Sequence, residues 1–269
     1  LSDKPCMIAR FGAVELGCVV NYLGVRNKDI LNYIRGKAEP WWWTKPTLQQ
    51  MSNNAGFFSI SDKNLRRFSE LMIQDMSSVD ILASWLQDES RFEKELSNVY
   101  KIWLEYLNPY WSENPWSRAL EGKKVLVVHP FVDSIQKQYK KRAFLHKHPQ
   151  TLPDFDLKTI KAVQGIGGVC NEGFKDWFDA FEYMKAEINK SNYDICILGC
   201  GAYGFPLAAH VKRMGKKAIH MGGATQMLFG IKGKRWEDEY GEFMNEHWIR
   251  PSKEETPINA MKIENGCYW

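Results

Sequence analysis

No Cys-x-x-Cys pair occurs in this sequence, although it holds six cysteines, at positions 6, 18, 170, 196, 200 and 267. That excludes paired-thiol zinc frames and disulfide scaffolds. With Cys6, Cys18 and Cys196 inside apolar runs, the cysteines read as reduced thiols. No apolar run reaches the roughly 18 residues of a membrane span, and no signal-peptide pattern is visible. The expected location is cytoplasmic, with the inner face of the membrane as the alternative. No G-x-x-x-x-G-K-S/T, H-E-x-x-H or G-x-S-x-G stretch is present, which removes P-loop nucleotidases, zinc peptidases and α/β-hydrolases. Internal repeats, linkers and low-complexity stretches are missing too. So is any large excess of charge. The formal net charge is +4, which suits an anionic small molecule or a peripheral membrane contact. No nucleic-acid partner is expected.

What is there is apolar and aromatic. At 269 residues and 44% hydrophobic content the chain can bury one large α/β core, and residues 1–269 read as a single domain. Eleven tryptophans are an unusual number, and core packing is the expected role for most of them. Met7 to Phe11 reads as a strand and Val14 to Leu23 as a helix. Ser61 is placed to cap a helix carrying Leu65, Phe68 and Met72. Val79 to Trp85 suits a short strand, and Phe92 to Leu107 has the spacing of an amphipathic helix. Residues 41–118 therefore read as a helical, aromatic-rich insertion. From Lys123 onward strands and helices alternate. Val125–Val128, Leu157–Val163, Ile195–Leu198 and Ala218–Met221 are strands. Ser134–Phe144, Trp177–Ile188 and Phe205–Met214 are helices. Gly165 to Asn171 is a glycine-rich loop, and residues 236–269 are a tail expected to wrap the surface. Strand–helix alternation predicts a Rossmann-like parallel sheet with helices on both faces. Ligands of such sheets bind beyond the carboxyl ends of the strands.

The strand Ile195–Leu198 runs into Gly199-Cys200-Gly201-Ala202-Tyr203-Gly204 and then a helix. This is G-x-G-x-x-G in its required context. Its glycines let backbone approach an anion, and the helix start offers N–H groups to a phosphate. A plain tight turn is the alternative. The next strand ends in His220 and Gly222, with no acidic residue to hold a ribose, so a nucleotide fits and NAD fits poorly.

Four further groups are candidates. Arg10 and Glu15 flank the turn after the first strand. Arg can clamp a diphosphate and Glu can serve as base or cation ligand; a structural Arg–Glu pair explains the spacing equally well. His129 ends an apolar strand ahead of a cationic helix, which suits an anionic ligand or equally a solvated basic face. Gln226 follows the Gly222-Gly223 pair. Arg235 lies in Gly230–Trp236, a basic loop that either closes over phosphates or is a mobile surface loop.

The turn Ala9-Arg10-Phe11-Gly12-x-x-Glu15 resembles the Ala-Arg-Phe-Gly-Asp-Gly-Glu segment of GT-D-type bacterial glycosyltransferases. Leu207-Ala208, Gly215, Ala218-Ile219 and Gly222 are similar to that family's later strand–turn–helix–strand unit. The resemblance implies a Rossmann-like enzyme that moves a sugar from a nucleoside-diphosphate donor, UDP-linked by preference. The acceptor is a hydroxyl of a surface glycan or glycoconjugate. It implies that Arg10, Gly12 and Glu15 face the diphosphate and the reacting sugar. Gly199, Gly201 and Gly222 shape the nucleotide crevice. His129, Tyr203, His220, Gln226 and Arg235 join that list from strand-end position. The family's metal motif is Asp-x-Glu. Here Ala13 replaces the first acid, leaving at most a weak Mn or Mg site at Glu15. Two other classes stay open: a Rossmann oxidoreductase using NAD(P), and a catalytically lapsed nucleotide- or sugar-binding module.

Overall fold

The computed structural model describes residues 4–165, 170, 173–258, 260–262 and 265–269. Among these, seven strands form one parallel sheet. In chain order they are β1 (Cys6–Ala9), β2 (Ile81–Ser84), β3 (Tyr100–Trp103), β4 (Lys124–His129), β5 (Asp156–Lys161), β6 (Ile195–Leu198) and β7 (Lys217–His220). Their order across the sheet is β3-β2-β1-β7-β6-β4-β5. The nine α-helices among the described residues are α1 (Ala13–Asn27), α2 (Ile30–Ile34), α3 (Lys45–Asn53), α4 (Asp62–Met76), α5 (Val132–Tyr139), α6 (Trp177–Lys190), α7 (Gly204–Arg213), α8 (Thr225–Leu228) and α9 (Lys234–Tyr240). The architecture is the expected α/β one.

Both faces of the sheet are covered, which explains why β4 and β6 are apolar at successive positions rather than alternating. Leu126, Val128, Cys196 and Leu198 point to one core, shared with α1, α4, α6 and α7. Val125, Val127, Ile195 and Ile197 point to the other, shared with α5 and α8. The α4 start is as the sequence predicts: the Ser61 side chain accepts from Asn64 N at 3.1 Å.

The structure departs from the sequence reading in three places. Phe92–Leu107 is not a helix. A 3-10 turn ends at Phe92, β3 follows, and a second 3-10 turn covers Leu104–Leu107. The backbone from Tyr100 to Trp103 pairs with Ile81 to Ser84, and that sheet bonding overrides the amphipathic spacing. Residues 41–118 thus carry two strands of the sheet as well as helices. Second, only Trp177, Trp236 and Trp248 of the tryptophans are buried. Third, the segment 236–269 does more than wrap the surface. It places Trp236 and Trp248 in the second core, and its Glu255 carboxylate accepts from the Asp133 and Ser134 amides at 2.8 and 3.2 Å. That acid from a distant segment caps α5. The glycine-rich loop predicted at Gly165–Asn171 lies mostly outside the described residues.

Candidate functional site

The loops after β1, β7, β6 and β4 stand side by side at the carboxyl edge of the sheet. After β1 and β6 the chain turns to one face, into α1 and α7. After β7 and β4 it turns to the other, into α8 and α5. The divergence of neighbouring loops opens a crevice there. It is a cleft of about 630 Å3, within the range of small-ligand sites. Arg10, Gly12 and Glu15 line it, as do His129, Gly199, Gly201 and Tyr203. His220, Gly222, Gln226 and Arg235 complete the candidate set on its wall. All the candidate residues therefore reach one cavity, although they come from five separate stretches of chain.

Arg10 is the most unusual of them. Its side chain is partly buried in the cleft wall; Nε is buried without a partner, and among the described residues the guanidinium makes neither an ion pair nor a hydrogen bond. The guanidinium lies over the Trp85 indole at 4.8 Å from the ring centroid. Burial lowers its proton affinity, while the nearby Glu15 carboxylate raises it. A Cβ on Gly222 would stand 2.9 Å from Arg10 Nη1, so Gly222, at φ +62, leaves room for this arginine.

Glu15 is the third residue of α1. Its carboxylate folds back over Gly12, where any side chain would collide with it. Burial raises its pKa above the ordinary carboxylate range; its own amide and Arg10 oppose that shift. Ahead of it, Gly12 caps α1 with no side chain, and the amides of Ala13 and Val14 face no carbonyl one turn back. The Ala13 and Val14 amides are therefore donors on the cleft wall, with the Glu15 carboxylate and Arg10 beside them.

The α7 start is different from what its glycine pattern implies. Ala202 N donates to Ala55 O at 3.1 Å, Tyr203 N to Cys200 O at 3.3 Å, and the Gly204 amide to Gly201 O. Those donors are already used. The glycines admit protein more than ligand. A Cβ at Gly199 would stand 2.7 Å from His129 Cδ2, and one at Gly204 would collide with the His220 ring. Gly201, at φ +55, is exposed, with the Ala55 carbonyl 3.0 Å from where its Cβ would be. Tyr203 spends its ring on the core, stacked on Trp177 at 4.6 Å. Gln226 donates its amide to Ile231 O and Tyr268 O at 3.3 and 3.1 Å. It ties the segment carrying Tyr268 to the cleft.

The two histidines are buried and neutral in opposite tautomers. His129 Nδ1 accepts from Phe131 N at 3.0 Å, which leaves its proton on Nε2. His220 Nδ1 lies 3.3 Å from Leu198 O, a carbonyl that only an N–H can satisfy, so its Nε2 carries the lone pair. Burial pulls both pKa values down to about 3, with Arg10 adding to the effect on His220. One ring thus offers a donor and the other an acceptor.

Three aromatic residues on the cleft wall that the candidate set does not contain are Trp85, Tyr268 and Trp269. Trp85 follows β2 and donates Nε1–H to Phe11 O at 2.9 Å. Tyr268 and Trp269 also line the cleft, and Arg235 Nη1 donates to Tyr268 Oη at 3.2 Å. Only the aromatic content of the sequence hinted at them. No grouping of three or more His, Cys, Asp or Glu suited to a metal ion occurs among the described residues, and Ala13 is exposed where a second acid would be needed.

No protein-family model, curated protein or solved structure matches the chain. Fold and cleft define a Rossmann-like α/β protein with a ligand-sized crevice at the carboxyl edge of its sheet. Among the described residues, no helix is long and apolar enough to cross a membrane.

Proposed function

We propose that this chain is a glycosyltransferase. It moves a sugar from a nucleoside-diphosphate donor, UDP-linked by preference, to a hydroxyl of a surface glycan or glycoconjugate. The observation that carries this reading is Arg10: a partly buried cation, without an ion pair among the described residues and with its Nε unpartnered, beside the Ala13 and Val14 amides. A partly buried, unpaired guanidinium is costly, and an anionic group in the cleft relieves that cost. A diphosphate fits both features, because Arg binds phosphate oxygens through its planar fork and helix starts bind them through N–H groups.

In the transfer, the bond from the sugar C1 to the diphosphate oxygen breaks, and the acceptor oxygen bonds to C1. The leaving diphosphate takes up negative charge, which Arg10 and the Ala13 and Val14 amides stabilise; such electrostatic help is usually the largest single contribution. Glu15, with its raised pKa, takes the acceptor proton. His129 Nε2–H and His220 Nε2 supply a donor and an acceptor for sugar or ribose hydroxyls. Trp85 and the Leu104–Asn108 stretch form the acceptor side, where an indole face stacks on a sugar ring. No step is routed through a metal.

Calorimetry with UDP, UDP-sugars and NADH tests the reading. A ligand at 100 times its Kd stabilises by about 2.7 kcal/mol. At roughly 2–4 °C per kcal/mol that is a Tm rise of several degrees. A rise with NADH and none with any nucleoside diphosphate overturns it. UDP binding without donor hydrolysis or transfer would leave a nucleotide-binding module.

A further inference from the structure

A second cluster lies at the far end of α1. That helix opens at the cleft and closes at Asn27, roughly 20 Å away along its axis. Beyond it α2 buries none of its residues. Leu31 is 68% and Ile34 74% exposed, and Ile30 is exposed beside them. Tyr33, Trp41 and Trp42 pack edge to face next to these aliphatics, with centroids 4.7–5.2 Å apart, and Trp42 stays exposed. Lys28, Arg35, Lys37 and Lys45 surround the cluster in sequence. All four are exposed, and among the described residues none makes an ion pair or side-chain hydrogen bond. The acids of the same stretch are engaged: Asp29 caps α2 through Asn32 N at 3.0 Å, and Glu39 pairs with Arg91 at 2.7 Å.

We propose that this face docks on the surface of an anionic lipid bilayer. Protruding aliphatic tips enter the acyl boundary, Trp and Tyr rings sit at headgroup level, and unpaired cations meet anionic headgroups. The arrangement suits no other occupant as well. A stable protein interface takes about 20–30 residues a side, far more than this knob supplies. A second copy on a two-fold axis would bring the same four cations against themselves. The docking face is separate from the cleft, so its test does not depend on donor binding.

The test is co-sedimentation of the full chain with two kinds of vesicle: phosphatidylcholine alone, and equal parts phosphatidylcholine and phosphatidylglycerol. Binding is expected to the anionic vesicles, weakened at least about tenfold by high salt. Leu31→Glu with Ile34→Glu should abolish it, and Leu31→Ser with Ile34→Ser should weaken it strongly without adding negative charge. Lys28→Gln, Arg35→Gln and Lys37→Gln together should weaken it by about tenfold or more. These side chains are exposed, so each variant should keep the wild-type Tm. Wild-type protein that stays in the supernatant with both vesicles overturns the proposal. So does equal binding by the Leu31/Ile34 variants. A dimer in ultracentrifugation that those variants dissociate, without vesicle binding, would assign the face to a second copy instead.

Discussion

The Trp85 indole faces the Arg10 guanidinium at 4.8 Å, and its Nε1–H is donated to the carbonyl of Phe11, the next residue after Arg10. One side chain just beyond β2 thus fixes both the charge and the backbone of the turn after β1. Trp85→Leu removes a cation–π contact worth about 0.5–2 kcal/mol together with that hydrogen bond. UDP affinity is expected to fall by roughly three- to thirtyfold with the fold intact, as read by calorimetry. Unchanged affinity would show that Arg10 does not depend on Trp85.

Arg10→Met should separate stability from binding. Replacing a partly buried, unpaired cation by an apolar side chain of similar length is expected to leave stability unchanged or raise it by about 1–4 kcal/mol. UDP binding should be lost at the same time. A large fall in the urea midpoint would mean that Arg10 holds the fold and is not waiting for an anion.

Glu15→Gln is expected to abolish transfer while sparing most UDP binding, because the carboxylate acts in the chemistry. The wild-type transfer rate should rise with pH on a limb lying above the usual carboxylate range, since burial raises the Glu15 pKa. Stability follows the opposite direction. A carboxyl whose folded pKa is raised contributes stability that is complete below its unfolded pKa and is lost as pH climbs through the folded value. Glu15→Gln should remove that decline. Full activity in the variant ends the catalytic assignment.

His129 and His220 act at the acid end. Both are held neutral by burial, with pKa values near 3 against an ordinary 6.5. The stability they contribute is present above pH 6.5 and is lost as pH falls toward about 3. Denaturant midpoints measured across that window should drop for the wild type, and less steeply for His129→Gln. Parallel curves would mean that other groups govern acid unfolding.

Glycine substitutions should divide by what each glycine faces. Gly199→Ala puts a methyl group against His129 and Thr225 and is expected to cost about 1–3 kcal/mol, visible as a lower Tm. Gly201→Val meets a left-handed backbone and the Ala55 carbonyl, so a loss of stability of at least about 1 kcal/mol accompanies any loss of ligand. Gly222→Ala crowds Arg10 at a left-handed position, so a stability loss of about 1–2 kcal/mol is expected together with a fall in UDP affinity larger than that of Gly201→Val. Equal effects at all three positions would remove the distinction.

The sequence by itself determined the parallel sheet and the place of the site. Four-residue apolar stretches such as Val125–Val128 satisfy only a strand covered on both faces, and the carboxyl ends of such strands converge wherever the sheet folds. That is why Gln164, His129, Gly199 and His220 could be grouped at strand ends before any contact was known. Tertiary structure alone decided what each group does there. A glycine in a motif records that a Cβ is not tolerated, without saying whether ligand or protein takes the space; at Gly199 and Gly204 the occupant is protein. Free backbone donors lie at α1 and not at the glycine turn of α7, because the Ala55 carbonyl, far away in sequence, reaches Ala202. The spacing of Leu96, Val99 and Trp103 fits a helix, yet the edge of β2 draws Tyr100–Trp103 into the sheet. Local pattern carries no record of a partner strand. Trp85 and Tyr268 reach the cleft for the same reason: pairing and packing between distant segments bring them there, and neither leaves a periodic trace in the chain.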